Sequence, residues 1–440
     1  QDMPTNNHTI ARSKYIQRGS IITSDGVTLA ESLQQEDGTY ARSYPNGNMA
    51  AHVVGYVSQQ YGTAGIESVM NDTLTGSKDY SSWNNAIASL AGQTQPGNTA
   101  KLTIDSRIQT AAEQALKGFK GAVVVMDPRT GAVLACASSP TYDNTNIDAL
   151  LQSGGGEDGS MYDRAMDALY TPGSTFKVVT LSAALETGTA SLTSTYQAPG
   201  SMDIGNAPVT NYANESYGTI SLQQAFAVSS NVVFGQVANE VGANTLVQFA
   251  NAFGYGQKLG QDLTSMASIM ADPSLMTEWE TAWAGAGQPV GMDHTPGPQT
   301  TVMQNAVIAA AIANSGVVMD PYFVAQVLAP DGTVVKTTQS RSLGQAVSSA
   351  TADQVKQAML AVVQSGTGTD AQVPGVKVAG KTGSAETGGT NVNSMFVGFA
   401  PYDSPTVAIS VALEDYDKHD VKAAKIAGIV LTAALAAQGA

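Results

Sequence analysis

The stretch GVKVAGKTGSAE (375–386) admits two readings that lead to different folds. Gly375, Gly380, Lys381 and Thr382 satisfy G-x-x-x-x-G-K-[ST], the loop that cradles nucleotide phosphates. Such a loop needs a strand before it and a helix after it, so that backbone N–H groups and the helix N-terminus face the phosphates. Here the residues between the glycines, Val376, Lys377, Val378 and Ala379, follow the period-2 pattern of a strand. Two of them are β-branched, at points where a phosphate loop bends sharply. After Thr382 comes GSAETGGTNVNS, which is turn-like and cannot open a helix. The remainder, 383–440, is too short for a parallel nucleotide-binding sheet. VALED (411–415), which could supply Mg²⁺-binding acids in a nucleotide hydrolase, becomes an ordinary sheet strand. Lys381-Thr382-Gly383 is then a cation, a hydroxyl and a glycine in file along a strand.

Around this stretch the pattern is strand-rich: VKVAGKTGSAE, MFVGFAP and TVAISVALED, closed by the helix VKAAKIAGIVLTAALAAQ. Upstream, QNAVIAAAIANSG (304–316) is an apolar helix ending at Gly316, and 221–242 reads as further helix around Ser229-Ser230-Asn231. STFKVVTLSAALETG is a helix that stops at Gly188. GAVVVMDPRTGAVLACASS is two apolar runs split by a turn, a hairpin signature. KLTIDSRIQTAAEQALKGF predicts a strand, an Asp105 cap and an amphipathic helix. QSGGGEDGS (152–160) is a loop, and AGQTQPGNTAK (91–101) is a linker. Residues 1–100 are polar, with short alternating runs such as SIITSDGVTLAES and HVVGYVS that suggest small strands. The pattern predicts a multidomain α/β chain with a largely antiparallel sheet, divided into a small unit at 1–95 and a larger one at 96–440. There is no internal repeat.

Composition narrows the function. The 440 residues exceed one ordinary core, and 43% hydrophobic residues can fill two. Only 13% are charged, below the usual quarter, which suits an exported protein. A formal net charge of −15 leaves no basic stripe to neutralise phosphates, so no nucleic-acid partner is expected. The single cysteine, Cys136, sits in an apolar run and reads as a small buried hydrophobe. No run of about 18 apolar residues reads as a membrane span.

Three short motifs carry the chemistry. TPGSTFK places Ser174 and Lys177 at i and i+3, on one face of a helix. A serine hydroxyl is a poor nucleophile unless a neighbouring base takes its proton. A lysine serves when burial and nearby cations lower its pKa. Pro172-Gly173 puts the serine at a helix start, where the dipole favours an alkoxide. Ser229 and Asn231 form S-x-N, which alone would read as a helix cap. Lys381 and Thr382 can hold a carboxylate, and Gly383 would let a substrate backbone approach. The order S-x-x-K, S-x-N, K-T-G is what joins them. A Ser-His-Asp site is disfavoured: G-x-S-x-G is absent, and His8, His52, His294 and His419 lie in unrelated contexts. No His or Cys spacing suits a metal, so neither metal nor cofactor is expected.

With these residues in place, the chain resembles a class B penicillin-binding protein, most closely the actinobacterial penicillin-binding protein A type. RGSIITSDGVTLAES (18–32), the Gly-Ile-Glu element within 44–76, LTIDSRIQTAAEQAL, DRAMDALYTPGSTFK, KTGSAE and FVGFAP all resemble that family. The resemblance implies a penicillin-binding/β-lactamase-like transpeptidase domain, an antiparallel sheet with helices on both faces plus a helical subdomain. The small N-terminal unit would be a pedestal domain. It implies Ser174 as acyl-accepting nucleophile and Lys177 as its base. Ser229 would shuttle a proton to the leaving amine, and Asn231 would hold Lys177 and the substrate amide. Lys381 and Thr382 would bind the terminal carboxylate of D-Ala-D-Ala, beside Gly383. The N–H groups of Ser174 and Ser384 would form the oxyanion hole. Implied partners are peptidoglycan stem peptides, β-lactam antibiotics and a membrane glycosyltransferase of the shape, elongation, division and sporulation type. The implied place is the extracytoplasmic face of the plasma membrane, with the family's N-terminal anchor not in this chain. Ser384 stands where many relatives carry Thr. A D,D-carboxypeptidase or β-lactamase-like hydrolase with the same site is the alternative. It would need a carboxylate to position a deacylating water, and Glu157 is a poor candidate for that.

Overall fold

The computed structural model describes residues 14–77, 96–156, 158–386, 392–415 and 422–439. Two sheets organise it. The first is built by β1 (Ile21–Ile22), β2 (Thr28–Gln34), β3 (Tyr40–Ser43) and β4 (Thr99–Leu102), joined later by two strands from far down the chain. After β4 the chain caps helix α1 (Ser106–Ala115) with the Asp105 side chain, which accepts from the Arg107 N–H. The hairpin β5 (Gly121–Met126) and β6 (Val133–Ser139) follows, as the two apolar runs predict. Next come α2 (Lys177–Glu186), α3 (Leu222–Val228), α4 (Asn231–Val241), α5 (Glu278–Ala286) and α6 (Val302–Ala313). Strands β7 (Val324–Leu328) and β8 (Val334–Thr337) return to the first sheet, and α7 (Ser349–Ser365) returns to the second. The end is β9 (Ala379–Glu386), β10 (Val392–Ala400), β11 (Val407–Leu413) and α8 (Ala423–Gln438).

The second sheet runs β9-β10-β11-β5-β6, every neighbouring pair antiparallel. Alternation along β5 sorts its two faces. Val123 and Val125 pack with Ile108 and Ala112 of α1 and Val430 and Leu431 of α8. Ala122, Val124 and Met126 face the other way, into the core that contains Val307 and Ala311 of α6. All twelve residues of α6 are buried, which is why its sequence is apolar all round rather than striped. Helices therefore cover both faces, as the fold class requires. Strand β9 is an edge strand, and its open side faces the turn that begins α2.

The first sheet runs β8-β7-β4-β1-β2-β3. Strand β4 lies between β7 and β1, parallel to β1 with Ala100 opposite Ile21. Of the linker expected at 91–101, residues 91–95 lie outside the described residues, and Thr99–Lys101 belong to this strand. Beneath the sheet, Glu67 is fully buried and accepts from Arg18 Nε at 2.7 Å and Arg42 Nε at 2.6 Å. Arg18 and Glu67 belong to the two N-terminal elements quoted for the family resemblance, and here they form one ion cluster.

Three sequence expectations are corrected. HVVGYVS is not all strand: Ala51–Val54 is a turn of helix with Ala51, Val53 and Val54 buried, and only Val57–Ser58 is extended. Strand β9 begins at Ala379; a tight turn that bridges Val373 and Val376 occupies the start of the expected strand. The strand then continues through Gly383 to Glu386, into the stretch that reads as turn. Residues 387–391 and Glu157 lie outside the described residues.

Candidate active site

Helix α2 is entered through a tight 3-10 turn, Gly173–Phe176, with Ser174 its second residue. Gly173 takes φ +54, and a Cβ there would stand 2.5 Å from the Ser384 carbonyl oxygen. The Gly173 N–H donates to the Gly287 carbonyl at 3.0 Å, and Gly287 ends α5 in a left-handed conformation. From the other side, a Cβ on Gly383 would lie 2.9 Å from the Pro172 carbonyl and 3.1 Å from the Thr175 nitrogen. The glycine of K-T-G thus makes room for the protein's own serine-bearing turn. That differs from the substrate approach that the motif suggests.

The helix expected across 221–242 breaks in two, and the break builds the site. Ser229 adopts φ +64, ψ 38, a left-handed conformation rare for a side chain without a compensating role. Ser230, not Ser229, caps α4, accepting from the Val233 N–H at 3.2 Å. The turn aims both the carbonyl and the hydroxyl of Ser229 at the lysines. Its frame is Asn211, whose Oδ1 accepts from Ser230 Oγ at 2.9 Å and the Val232 N–H at 3.1 Å.

Lys177 Nζ lies 3.0 Å from Ser174 Oγ, 2.8 Å from the Ser229 carbonyl, 2.8 Å from Asn231 Oδ1 and 3.3 Å from Ser229 Oγ. Asn231 Nδ2 donates to the Thr210 carbonyl at 3.0 Å, which fixes Oδ1 toward the lysine. A carbonyl and an amide oxygen only accept. A neutral lysine gives its two hydrogens to those two oxygens. Its lone pair is then left for the Ser174 hydroxyl proton. Lys177 is fully buried, and burial, with the Lys381 charge second, holds its pKa well below the ordinary lysine value.

Lys381 Nζ donates to Ser229 Oγ at 2.9 Å and to the Thr382 carbonyl at 2.9 Å. Ser229 Oγ therefore bridges the two lysines. Burial brings the Lys381 pKa down to about 7. Lys177 stands 5.5 Å from the centre of the Phe234 ring and Lys381 5.6 Å from that of Phe226, so an aromatic ring lies beside each lysine. Neither lysine is bonded to a carboxylate among the described residues. The site is short of one negative charge, which a substrate carboxylate would supply.

Every residue expected from the sequence to act in catalysis or substrate binding lies in this region: Ser174, Lys177, Ser229, Asn231 and Lys381 in one hydrogen-bonded chain, then Thr382, Gly383 and the exposed Ser384 on β9. Sequence reasoning missed Asn211, which no spacing marks. It also missed Thr367, whose Oγ1 lies 2.6 Å from Thr382 Oγ1. The Gly-Thr-Gly around Thr367 reads only as a helix stop. Glu414 of VALED accepts from Arg164 Nε and from the Tyr170 hydroxyl, each at 2.9 Å. That acid braces the segment leading to Ser174.

Comparison with known proteins gives the family. Residues 121–434 match the model of the penicillin binding protein transpeptidase domain, and residues 18–100 match that of the penicillin binding protein A dimerisation domain. The chain is similar to the peptidoglycan D,D-transpeptidase PbpA of Mycolicibacterium smegmatis, 32% identical over 93% of this chain and 86% of that protein. Among solved structures, the D,D-transpeptidase domain of a peptidoglycan glycosyltransferase from Eggerthella lenta superposes with a TM-score of 0.88 at 43% identity, covering 97% of this chain and 99% of the other. The imipenem acyl-enzyme complex of penicillin-binding protein A from M. tuberculosis superposes with a TM-score of 0.87 at 31% identity, covering 96% and 99%. The transpeptidase match over residues 121–434, with a relative 32% identical over 93% of the chain, places this chain in the penicillin-binding protein transpeptidase family.

Proposed function

We propose that the chain is a serine-type peptidoglycan D,D-transpeptidase, acting on stem peptides that end in D-Ala-D-Ala. Ser174 Oγ attacks the carbonyl of the penultimate D-Ala while its proton passes to neutral Lys177 Nζ. The oxyanion is met by the N–H groups of Ser174 and Ser384. Terminal D-Ala leaves as its amine gains a proton through Ser229, and an acyl-serine ester remains. An amine of a neighbouring stem peptide attacks that ester, the ester bond breaks, and Ser174 recovers its proton. Asn231 holds Lys177 and the substrate amide. Lys381, Thr382 and the adjoining Gly383 segment take the terminal carboxylate.

The observation that carries this reading is Lys177 Nζ at 3.0 Å from Ser174 Oγ, with its N–H directions taken up by two obligate acceptors. Similarity to proteins named as peptidoglycan D,D-transpeptidases and to β-lactam acyl-enzymes supports the same chemistry. Among the described residues no carboxylate is hydrogen-bonded to Ser174 or Lys177 to activate a water, so the described site does not favour a hydrolase.

The division at 95/96 gives residues 1–95 the part of a pedestal and 96–440 that of the transpeptidase. The match of 18–100 to a dimerisation domain supports a pedestal. We assign it a membrane glycosyltransferase of the shape, elongation, division and sporulation type as partner, on the extracytoplasmic side of the plasma membrane. Among the described residues no helix is long and apolar enough to cross a membrane.

Intact-protein mass spectrometry after incubation with benzylpenicillin tests the reading. A stable penicilloyl adduct in wild type and none in Ser174→Ala is expected. Rapid loss of the drug without an adduct would point to a hydrolase. Intact drug with no adduct would overturn the assignment of Ser174.

A further inference from the structure

The carboxylate-binding end of the site holds a second hydroxyl. Thr367 follows Gly366 at the end of α7, and its Oγ1 lies 2.6 Å from Thr382 Oγ1. The loop that carries it is pinned. The Gly366 and Gly368 N–H groups both donate to the Val362 carbonyl at 3.0 Å, and the Thr367 N–H donates to the Ala227 carbonyl at 3.2 Å. A Cβ on Gly366 would stand 2.5 Å from the same Ala227 oxygen, so the backbone abuts α3 there. Ala227 is two residues before Ser229. The element that places Ser229 between the lysines also fixes the height of Thr367 beside Thr382.

Two hydroxyls at this distance own two protons, and one of them lies in their shared bond. The other is left over whichever threonine donates. Thr367 is exposed, Thr382 is half-buried, and among the described residues neither hydroxyl has another side-chain partner. Behind them Lys381 has a third N–H beyond its bonds to Ser229 Oγ and the Thr382 carbonyl. An entering carboxylate has two oxygens, each able to accept, and it can break the Thr–Thr bond by giving each hydroxyl an ionised acceptor instead. A hydrogen bond to a charged acceptor is stronger than one between neutral hydroxyls.

We propose that Thr367 is a substrate-binding residue for the acyl donor, its hydroxyl donating to one oxygen of the terminal carboxylate while Thr382 donates to the other. The inference rests on the transpeptidase reading and adds a specificity element to it. The two threonines form a fork, and Lys381 supplies the charge behind it. A donor without a free carboxylate leaves the fork bonded to itself.

The test compares second-order acylation rates for benzylpenicillin and its methyl ester, which keeps the β-lactam and loses the anion. Wild type, Thr367→Ala, Thr367→Val and Thr367→Ser are measured by intact mass. Thr367→Ala is expected to slow benzylpenicillin by about tenfold, the scale of one hydrogen bond to a charged group. The ester rate stays unchanged, and Thr367→Ser restores the acid rate. Thr367→Val keeps the side-chain shape and reproduces the selective loss even if alanine loosens the loop. An equal loss on both probes, or no loss on either, would overturn the proposal. Absence of any adduct in wild type is a separate result, which defeats the reading of Ser174 and this inference with it.

Discussion

Two lysines share one buried pocket of charge, and their pKa values set opposite requirements. Lys177 works as a base only when neutral, and burial beside Lys381 favours that form. Lys381 attracts a carboxylate only when charged, and burial brings its pKa down to about 7. The second-order acylation rate should therefore fall as pH rises through about 7, while Lys381 loses its proton. On the acid side it should fall where Lys177 gains one. A rate that is flat from pH 6 to pH 9 would refute this pairing. The same shift costs stability. In the unfolded chain both lysines bind protons up to about pH 10.4, so the unfolded state holds more protons above pH 7 and stability rises with pH across that window. Lys381→Met should raise the melting temperature at pH 7 and lower acylation by at least about a hundredfold, a divergence that thermal unfolding and mass spectrometry would show together.

At the scale of elements, the decisive feature is the break between α3 and α4. Ser229 pays for a left-handed backbone, a strain of about 1–2 kcal/mol for a residue with a Cβ. Ser229→Gly should be about 1 kcal/mol more stable than Ser229→Ala in denaturant unfolding, although both lose the hydroxyl that bridges the lysines and both acylate slowly. This break marks the limit of what the sequence discloses. The helix at 177–186, the hairpin at 121–139 and the strands from 379 onward follow from periodicity and capping, which are local. S-x-x-K follows from helical spacing. The conformation of Ser229 is imposed by Asn211 and the lysines, groups far away in sequence, so a continuous helix was the natural local reading. Gly383 likewise looks like a substrate contact until the Pro172–Thr175 turn is seen against it. Thr367 has no local signature at all.

The whole molecule depends on a junction that composition hides. Glu67 is buried between Arg18 and Arg42, and removing one charge strands the others. Glu67→Gln should destabilise the N-terminal unit by about 3–5 kcal/mol, visible as an early unfolding transition. Penicillin acylation below that transition should keep its wild-type rate, since Ser174 and its partners come from other elements. The sheet order β8-β7-β4-β1-β2-β3 extends this dependence across the predicted boundary. Strand β4 pairs on one side with β7, from the middle of the catalytic segment, and on the other with β1. Cutting the chain at residue 96 would strip β4 of that second neighbour and leave a bare strand edge beside the newly exposed Ala100 and Leu102. Such an edge invites pairing with another copy. A catalytic fragment prepared this way should tend to aggregate on purification, and adding back residues 18–43 as part of the same chain should keep it in solution.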